Sequence, residues 1–340
     1  MNKVPRVNLK QIGAAANVSI ATASKILRGK DESSAETRRR VFEAAERLKY
    51  RPNLLVKGMQ TGRTQTIGVI LPAESIYQGA IGRGIHDELI ARSYVPIQLW
   101  VGHGLSSEAA RKLELEQIHR LIDRRVDGVI LWPLDSSVPE EHFGELWDRS
   151  IPLVTVDRET SSADHVGTDD VVGGQLVAQH LLQMGHKHFL HLAGNPLSSS
   201  FNARRRGFVE AIGETGARCD VVEVPSVKQS LELARRILAM NPRPTAIFAC
   251  QDDVALRVYT AAAEMGIAIG RDVAVVGYGE RDYCEDLYPS LSSVRQAPHE
   301  VGRSAAKLIL ELVEKGNSDD APTKVHMKPE LIVRKSSSGV

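Results

Sequence analysis

The chain has 340 residues, 42% hydrophobic and 25% charged, with a formal net charge of +1. That is enough for two or three ordinary domains with real cores, and too apolar and too balanced in charge for disorder. No apolar run reaches about 18 residues, so no membrane span is expected.

The start, MNKVPRVNLKQIG, lacks the apolar segment of a secretory signal. Three widely spaced cysteines, Cys219, Cys250 and Cys284, form neither a disulfide framework nor a zinc pattern. A reduced, cytoplasmic setting is the expectation. The near-neutral total conceals an asymmetry. Residues 1–63 carry 14 Lys and Arg against 5 Asp and Glu, whereas the remainder carries 29 against 37. A small basic head on an acidic body points to a polyanion partner, although a charge block can also be a solvated face.

Three short helical patterns fill residues 8–50. The first opens at Asn8, with Gln11 three residues on as in a capping box, and places Leu9, Ile12 and Ala16 on one face. Asn17-Val18-Ser19 breaks it, and Ser19 can cap a second helix, Ile20–Arg28, whose inner face offers Ala23, Ile26 and Leu27. Gly29 suits its end. A third helix starts at Ser33 or Ser34 and runs through Val41, Ala44, Ala45 and Leu48. Two short helices across a three-residue turn, backed by a third, make a helix-turn-helix module. Residues 51–63 follow as a linker, where Asn53 can cap one more short helix. Gly58 in its middle costs about 1 kcal/mol of helix propensity, so this segment is expected to order only with a partner.

From Thr66 onward, short apolar strands alternate with amphipathic helices. The strands are expected at Thr66–Leu71, Val95–Val101, Gly128–Trp132, Leu153–Asp157, Phe189–Ala193, Ala246–Ala249 and Val273–Gly277. Helical patterns include Tyr77–Arg92, Ser107–Arg124, Asp170–Met184, Ala203–Gly213 and Asp253–Met265. This alternation implies parallel sheets, and the number of strands implies two facing α/β domains. Ligands in such sheets bind beyond the carboxyl ends of the strands, which directs attention to Pro72–Tyr77, Asp157-Arg158, Asn195–Arg204, Gln251-Asp252 and Gly279-Glu280.

The stretches VNLKQIGAAANVSIATASKILRG, SAETRRRVFEAAERLKYRPN and TQTIGVILP resemble the LacI/GalR family of bacterial transcription regulators. So do RRVDGVIL, IPLVTVDR, MGHKHFLHLAG, RRRGF, FACQDDVAL, VAVVGYG, LSSVRQ and PELIVRKS, in the family's order along the whole chain. The resemblance implies a helix-turn-helix domain over 1–52 and a hinge helix over 53–63. It also implies a periplasmic-binding-protein-like core of two Rossmann-like subdomains, 64–161 with 292–322 and 162–291 with 323–340. A homodimer reading a pseudo-palindromic duplex follows, with no enzyme activity and no cofactor.

In the family pattern, Ile20 and Ala21 take the main sequence-reading positions at the start of the second helix, and Lys25 lies one turn on. The two apolar side chains suit a thymine methyl, while Lys25 can donate to guanine O6 and N7 or to a phosphate. Ser19, Thr22 and Ser24 are expected to hold phosphates. Asn53, Lys57 and Met59 belong to the hinge. Met59 stands where the family usually places a Leu wedge, and Met can also pry a base step apart.

The effector residues implied by the resemblance are Tyr77, Asp157, Arg158, Arg204, Gln251 and Glu280. Two departures bear on the ligand. Glu280, shifted by one position, stands in for the Asp that sugar-responsive members carry after the Gly-aromatic turn, and a stacking aromatic before Val227 is missing. The expected effector is a sugar, sugar acid or sugar phosphate; the departures weaken the case for a simple neutral pyranose, and Arg158 and Arg204 favour an anionic one.

Rival readings are weaker. No G-x-S-x-G, G-x-x-x-x-G-K-[ST] or H-E-x-x-H occurs, and GAIGRG at 79–84 does not match G-x-G-x-x-G. His180, His186, His188 and His191 cluster in sequence, but His188 and His191 point to opposite faces of one strand, so a structural role is expected and no metal set. A transport-type binding protein is disfavoured by the basic head. A regulator governed by a protein partner remains an alternative.

Overall fold

The computed structural model describes residues 7–27, 33–50, 62–72, 75–101, 107–316 and 321–338. The chain divides into two compact units, Met1–Thr64 and Gln65–Val340.

In the first unit, α1 (Leu9–Ala16), α2 (Ile20–Leu27) and α3 (Ala35–Arg47) pack around Ile12, Ala16, Ala23, Ile26, Val41 and Ala44. The capping box forms as the spacing requires: the Gln11 amide donates to the Asn8 side chain at 3.1 Å, and the Asn8 amide donates to Gln11 at 2.9 Å. Asn17 closes α1 in the left-handed region, at φ 53°. Of the two candidate starts for the third helix, Ser34 is the cap, accepting from the Thr37 amide.

The second unit holds two six-stranded sheets. The first runs β11-β5-β4-β3-β1-β2 and the second β12-β10-β9-β8-β6-β7. The strands are β1 (Thr66–Pro72), β2 (Val95–Val101), β3 (Gly128–Leu131), β4 (Leu153–Val156), β5 (Asp164–Thr168), β6 (His188–Ala193), β7 (Arg218–Glu223), β8 (Ala246–Ala249), β9 (Ala274–Tyr278), β10 (Ser292–Arg295), β11 (Lys324–Met327) and β12 (Glu330–Ile332). All pairings are parallel except β10 with β12. The intervening helices are α4 (Ile76–Ala91), α5 (Ser107–Asp123), α6 (Gly144–Asp148), α7 (Asp170–Gln183), α8 (Ser199–Gly213), α9 (Ser230–Leu238), α10 (Asp252–Glu264) and α11 (Pro298–Lys315). Helix α11 packs on α4 and the first sheet, while α7 and α8 pack together in the second lobe. Both sheets are covered by apolar side chains, as parallel sheets require.

The crossovers differ from the sequence expectation by a strand each. β5 and β11, placed in the second lobe by the boundaries at 162 and 323, belong to the first sheet, and β10, placed in the first, belongs to the second. β11 is an edge strand whose side chains are only partly covered, so it has no apolar run by which to assign it. β5 continues the first sheet beside β4, across the turn that starts at Asp157.

Candidate functional site

The carboxyl ends of both sheets converge on a cavity of about 270 Å³ between the lobes. Tyr77, Asp157, Arg158, Arg204 and Gln251 line it. Each owes its place to local backbone. Ser75 caps α4 through the Gln78 amide and sets Tyr77 in the first turn. Asp157 follows β4 in the left-handed region, at φ 61°, and turns its side chain into the cleft.

Tyr77 donates to Asp157 Oδ1 at 2.9 Å and accepts from Gln296 Nε2 at 3.0 Å, while Gln296 also donates to Thr168 at 3.2 Å. Ser200 on α8 donates to the other Asp157 oxygen at 3.5 Å. This network ties the first lobe to the second and to the crossover after β10. Burial and the neighbouring Asp170 push the Asp157 carboxyl up to about 6, against the pull of Arg204 and Arg158. A second tie joins the rim: the Ser199 amide donates to Ser136 Oγ at 3.1 Å, and the Glu159 amide donates to Ser199 Oγ at 2.7 Å.

Arg204 is 5% exposed. Its Nε donates to Asp170 at 2.9 Å, its Nη1 donates to the Cys250 carbonyl at 2.8 Å, and its guanidinium lies 3.8 Å over the Tyr278 ring. Tyr278 donates to the same Asp170 oxygen at 2.6 Å. The approach depends on two glycines. A Cβ at Gly174 would stand 2.2 Å from the Arg204 carbonyl, and one at Gly207 would stand 2.0 Å from that of Val171. Only bare backbone lets α7 and α8 come this close. Although burial works against its charge, Asp170 holds the Arg204 guanidinium above its usual range. Arg204 is therefore the fixed floor of the cleft, held by two hydrogen bonds and an ion pair inside the protein.

Arg158 is different. Its Nη1 donates to the Pro133 and Leu134 carbonyls, its Nε is buried with no partner, and burial pulls its guanidinium below the usual range. Among the described residues lining the cleft, Arg204 is paired with Asp170 and Arg281 with Asp253, whereas Arg158 has no carboxylate at ion-pair distance and feels Asp157, Glu114 and Asp135 only from farther off.

Glu280 is a correction. It does not line the cavity. Gly279 at φ 126° and Glu280 at φ 53° turn its side chain onto Arg334, where its Oε2 accepts from Nη1 at 3.1 Å, and Arg281 enters the cleft instead. Trp132, Phe201, Arg281 and Gln296 also line the cavity. Trp132 and Phe201 supply the aromatic surface that the segment before Val227 lacks. Trp132 closes an expected strand, which was the available signal. Gln296 carried none.

In the head, Ile20 is 50% exposed at the start of α2, with Ala21 and Lys25 exposed beside it, while Ala23 and Ile26 face the core. Ile20 is thus not part of the head's core, which Ala23 and Ile26 supply from the same helix. Ser19 caps α2, accepting from the Thr22 amide at 3.0 Å, with the two hydroxyls 2.8 Å apart. Thr22 and Ser24 are half-buried. Asn53, Lys57 and Met59 lie outside the described residues.

His191 is buried in the second lobe, stacked on Phe248 at 4.6 Å with Nδ1 donating to the Phe248 carbonyl at 3.0 Å. His188 meets Asp220 at 2.9 Å and His180 meets Ser337 at 2.8 Å. These side chains go to different partners.

A helix-turn-helix unit, joined in sequence to a two-lobed α/β unit with a cavity between its lobes, has the plan of a ligand-responsive DNA-binding regulator. Comparison with known families and structures makes this specific. Residues 8–53 match the bacterial regulatory proteins of the lacI family, and residues 178–337 match the periplasmic binding protein-like domain. The chain thus combines a lacI-family DNA-binding domain with a periplasmic-binding-protein-like ligand domain, the organisation of a DNA-binding transcriptional repressor.

Among relatives, the catabolite control protein A of Priestia megaterium is 28% identical over 323 residues, 93% of this chain and 95% of that protein. The HTH-type transcriptional repressor PurR of Pasteurella multocida is 26% identical over 336 residues, 96% and 98%. The lac repressor dimer bound to operator and the anti-inducer ONPF superposes with a TM-score of 0.84 at 23% identity, covering 98% of this chain and 99% of that one. A LacI family regulator of Enterococcus faecium with bound ribose superposes with a TM-score of 0.69 at 25% identity, covering 81% and 99%. Among the described residues, no helix is long and apolar enough to cross a membrane.

Proposed function

We propose that the chain works in the cytoplasm as a homodimer on a pseudo-palindromic operator, with operator affinity set by an anionic, hydroxyl-bearing metabolite such as a sugar acid or a sugar phosphate. The observation that carries the effector class is Arg158, a cleft cation that hydrogen-bonds backbone carbonyls and has no carboxylate at ion-pair distance, its charge offset only from farther off by Asp157, Glu114 and Asp135. A carboxylate or phosphate in the cavity would meet that charge, while Asp157, Gln251 and Gln296 offer acceptors and donors to hydroxyls. Trp132 and Phe201 offer ring faces.

The cavity lies near the lower end of the usual range of about 300–1,000 Å³, in keeping with a small metabolite. A ligand gripping both lobes stabilises the closed arrangement through differential affinity, the means by which an effector can alter DNA binding. The DNA reading rests on the exposed Ile20, Ala21 and Lys25, and Asn53, Lys57 and Met59 enter it through the family resemblance. The dimer rests on an exposed apolar face of α4 and β2 containing Ile90, Val95 and Trp100.

The test starts with duplexes selected from a random pool, then titrates the protein–DNA complex with neutral sugars, sugar acids and sugar phosphates. The anionic compounds should shift operator binding, and Arg158→Met should weaken their effect about tenfold or more. Equal responses to neutral sugars, untouched by Arg158→Met, would remove the anionic assignment.

A further inference from the structure

We propose that Glu159, His165 and His326 form a three-ligand site for a divalent transition-metal ion of the zinc class, outside the effector cleft. The three come from separate parts of the first lobe. Glu159 lies in the turn between β4 and β5, His165 on β5, and His326 on the neighbouring edge strand β11. Their ligand atoms all lie within 4.8 Å of one another. Donors at about 2.0–2.1 Å from a tetrahedral zinc stand about 3.4 Å apart, so the site closes by small rotations of two side chains. Glu159 and His326 have that freedom, since each side chain is 38% exposed.

His165 is the fixed member. It is buried, and its Nδ1 lies 3.1 Å from Thr155 Oγ1. With the Thr155 hydroxyl donating to the Asp164 carbonyl at 3.1 Å, it is placed to accept from Nδ1–H. In that arrangement the lone pair is on Nε2, the tautomer in which a histidine ligates through Nε2 with its other nitrogen donating to an outer partner.

Lys324 sets the kind of ion. Its ammonium is held by the Thr160 carbonyl at 2.6 Å and the Ala163 carbonyl at 2.8 Å, and it stands 3.4 Å from Glu159 Oε1. A carboxylate shared with an ammonium serves poorly for calcium or magnesium, which depend on several anionic oxygens. Two imidazoles and one carboxylate with an open fourth position suit zinc, nickel or cobalt. The amide of Glu159 donates to Ser199 across the lobes, so an ion on its carboxylate would fix a segment that spans the cleft rim.

The experiment treats the full chain with chelator and titrates it by calorimetry with Zn²⁺, Ca²⁺ and Mg²⁺, then records the visible absorption of the Co²⁺ form. The expected result is one Zn²⁺ per chain, no comparable heat with Ca²⁺ or Mg²⁺, and affinity lowered at least about tenfold in His326→Ala and in Glu159→Gln. Both positions are on the surface, and circular dichroism of each variant establishes that the fold is intact. His188→Asn, which breaks the separate pair with Asp220, should leave affinity and cobalt spectrum unchanged. No zinc binding by the wild type, or equal affinity in His326→Ala and Glu159→Gln, overturns the site. Loss of binding in His188→Asn alone assigns the ion elsewhere and overturns it equally.

Discussion

Arg204 and Asp170 meet at 2.9 Å beneath the cleft, each almost wholly withdrawn from solvent, and Tyr278 completes the pair by donating to the same carboxylate oxygen. Breaking such a buried pair from one side strands a charge, which costs about 3–5 kcal/mol. Arg204→Met should therefore lower the unfolding free energy by that amount in urea denaturation. Tyr278→Phe, which removes one donor and leaves the ion pair, should lower it by about 1–3 kcal/mol. A loss below about 1 kcal/mol in Arg204→Met would show that Arg204 is held for the ligand and not for the floor of the cleft.

His191 gives the second lobe an acid-sensitive core. Burial, against the Phe248 hydrogen bond, lowers its imidazole to about 4 from the ordinary 6.5, and its Nε2 is buried without a partner. Between about pH 6.5 and 4 the unfolded chain binds the proton and the native chain does not. The stability due to neutral His191 is therefore complete above about 6.5 and is lost as the pH falls towards 4. His191→Phe, which keeps the stack on Phe248, should flatten that limb, so that the difference from wild type changes by on the order of 3 kcal/mol across the window. Parallel stability curves for the two proteins would contradict this.

How much of this could be read beforehand follows from where the side chains lie. Strands β1, β3, β4, β6, β8 and β9 are interior and nearly continuous in apolar residues, so the alternation with helices is legible. β7, β11 and β12 are edges, only half covered, and sequences such as RCDVVE and KVHM carry no run to mark them. The same holds within the cleft. Tyr77, Asp157, Arg158, Arg204 and Gln251 lie in segments beyond strand ends, and the family resemblance singles them out there. Glu280 follows one as well, but two successive left-handed residues send its carboxylate to Arg334, which residue type alone does not reveal. The histidine ligands proposed at 165 and 326 are joined by strand pairing across some 160 residues, beyond any spacing rule.

The α4–β2 face yields a prediction about assembly. Val95 and Trp100 are each about half exposed on strand β2 at the edge of the first sheet, beside Ile90. An unpaired edge flanked by apolar side chains is a template for association. Trp100→Asp should shift the protein to monomer in sedimentation equilibrium and weaken operator binding, since two heads no longer act together, while the far-ultraviolet spectrum stays native. A wild-type chain that sediments as a monomer, or a dimer unaffected by the charge, would place the contact elsewhere.

The head offers the most direct test of sequence reading. Lys25 is exposed on the same helix as Ile20 and Ala21, so its ammonium can reach either a base edge or a phosphate. The two differ in specificity as well as strength. Contact with guanine predicts that Lys25→Ala weakens the selected site by about 1–3 kcal/mol and relaxes the preference at one base pair per half-site. Contact with phosphate predicts a loss spread evenly over all duplexes and a shallower salt dependence. Ile20→Ala, by removing apolar surface, should lower discrimination for thymine over uracil at its position, because only the methyl group distinguishes the two. Binding measured on selected, base-substituted and uracil-containing duplexes separates these outcomes. Unchanged affinity for all of them in Ile20→Ala would mean that the exposed isoleucine does not face the groove.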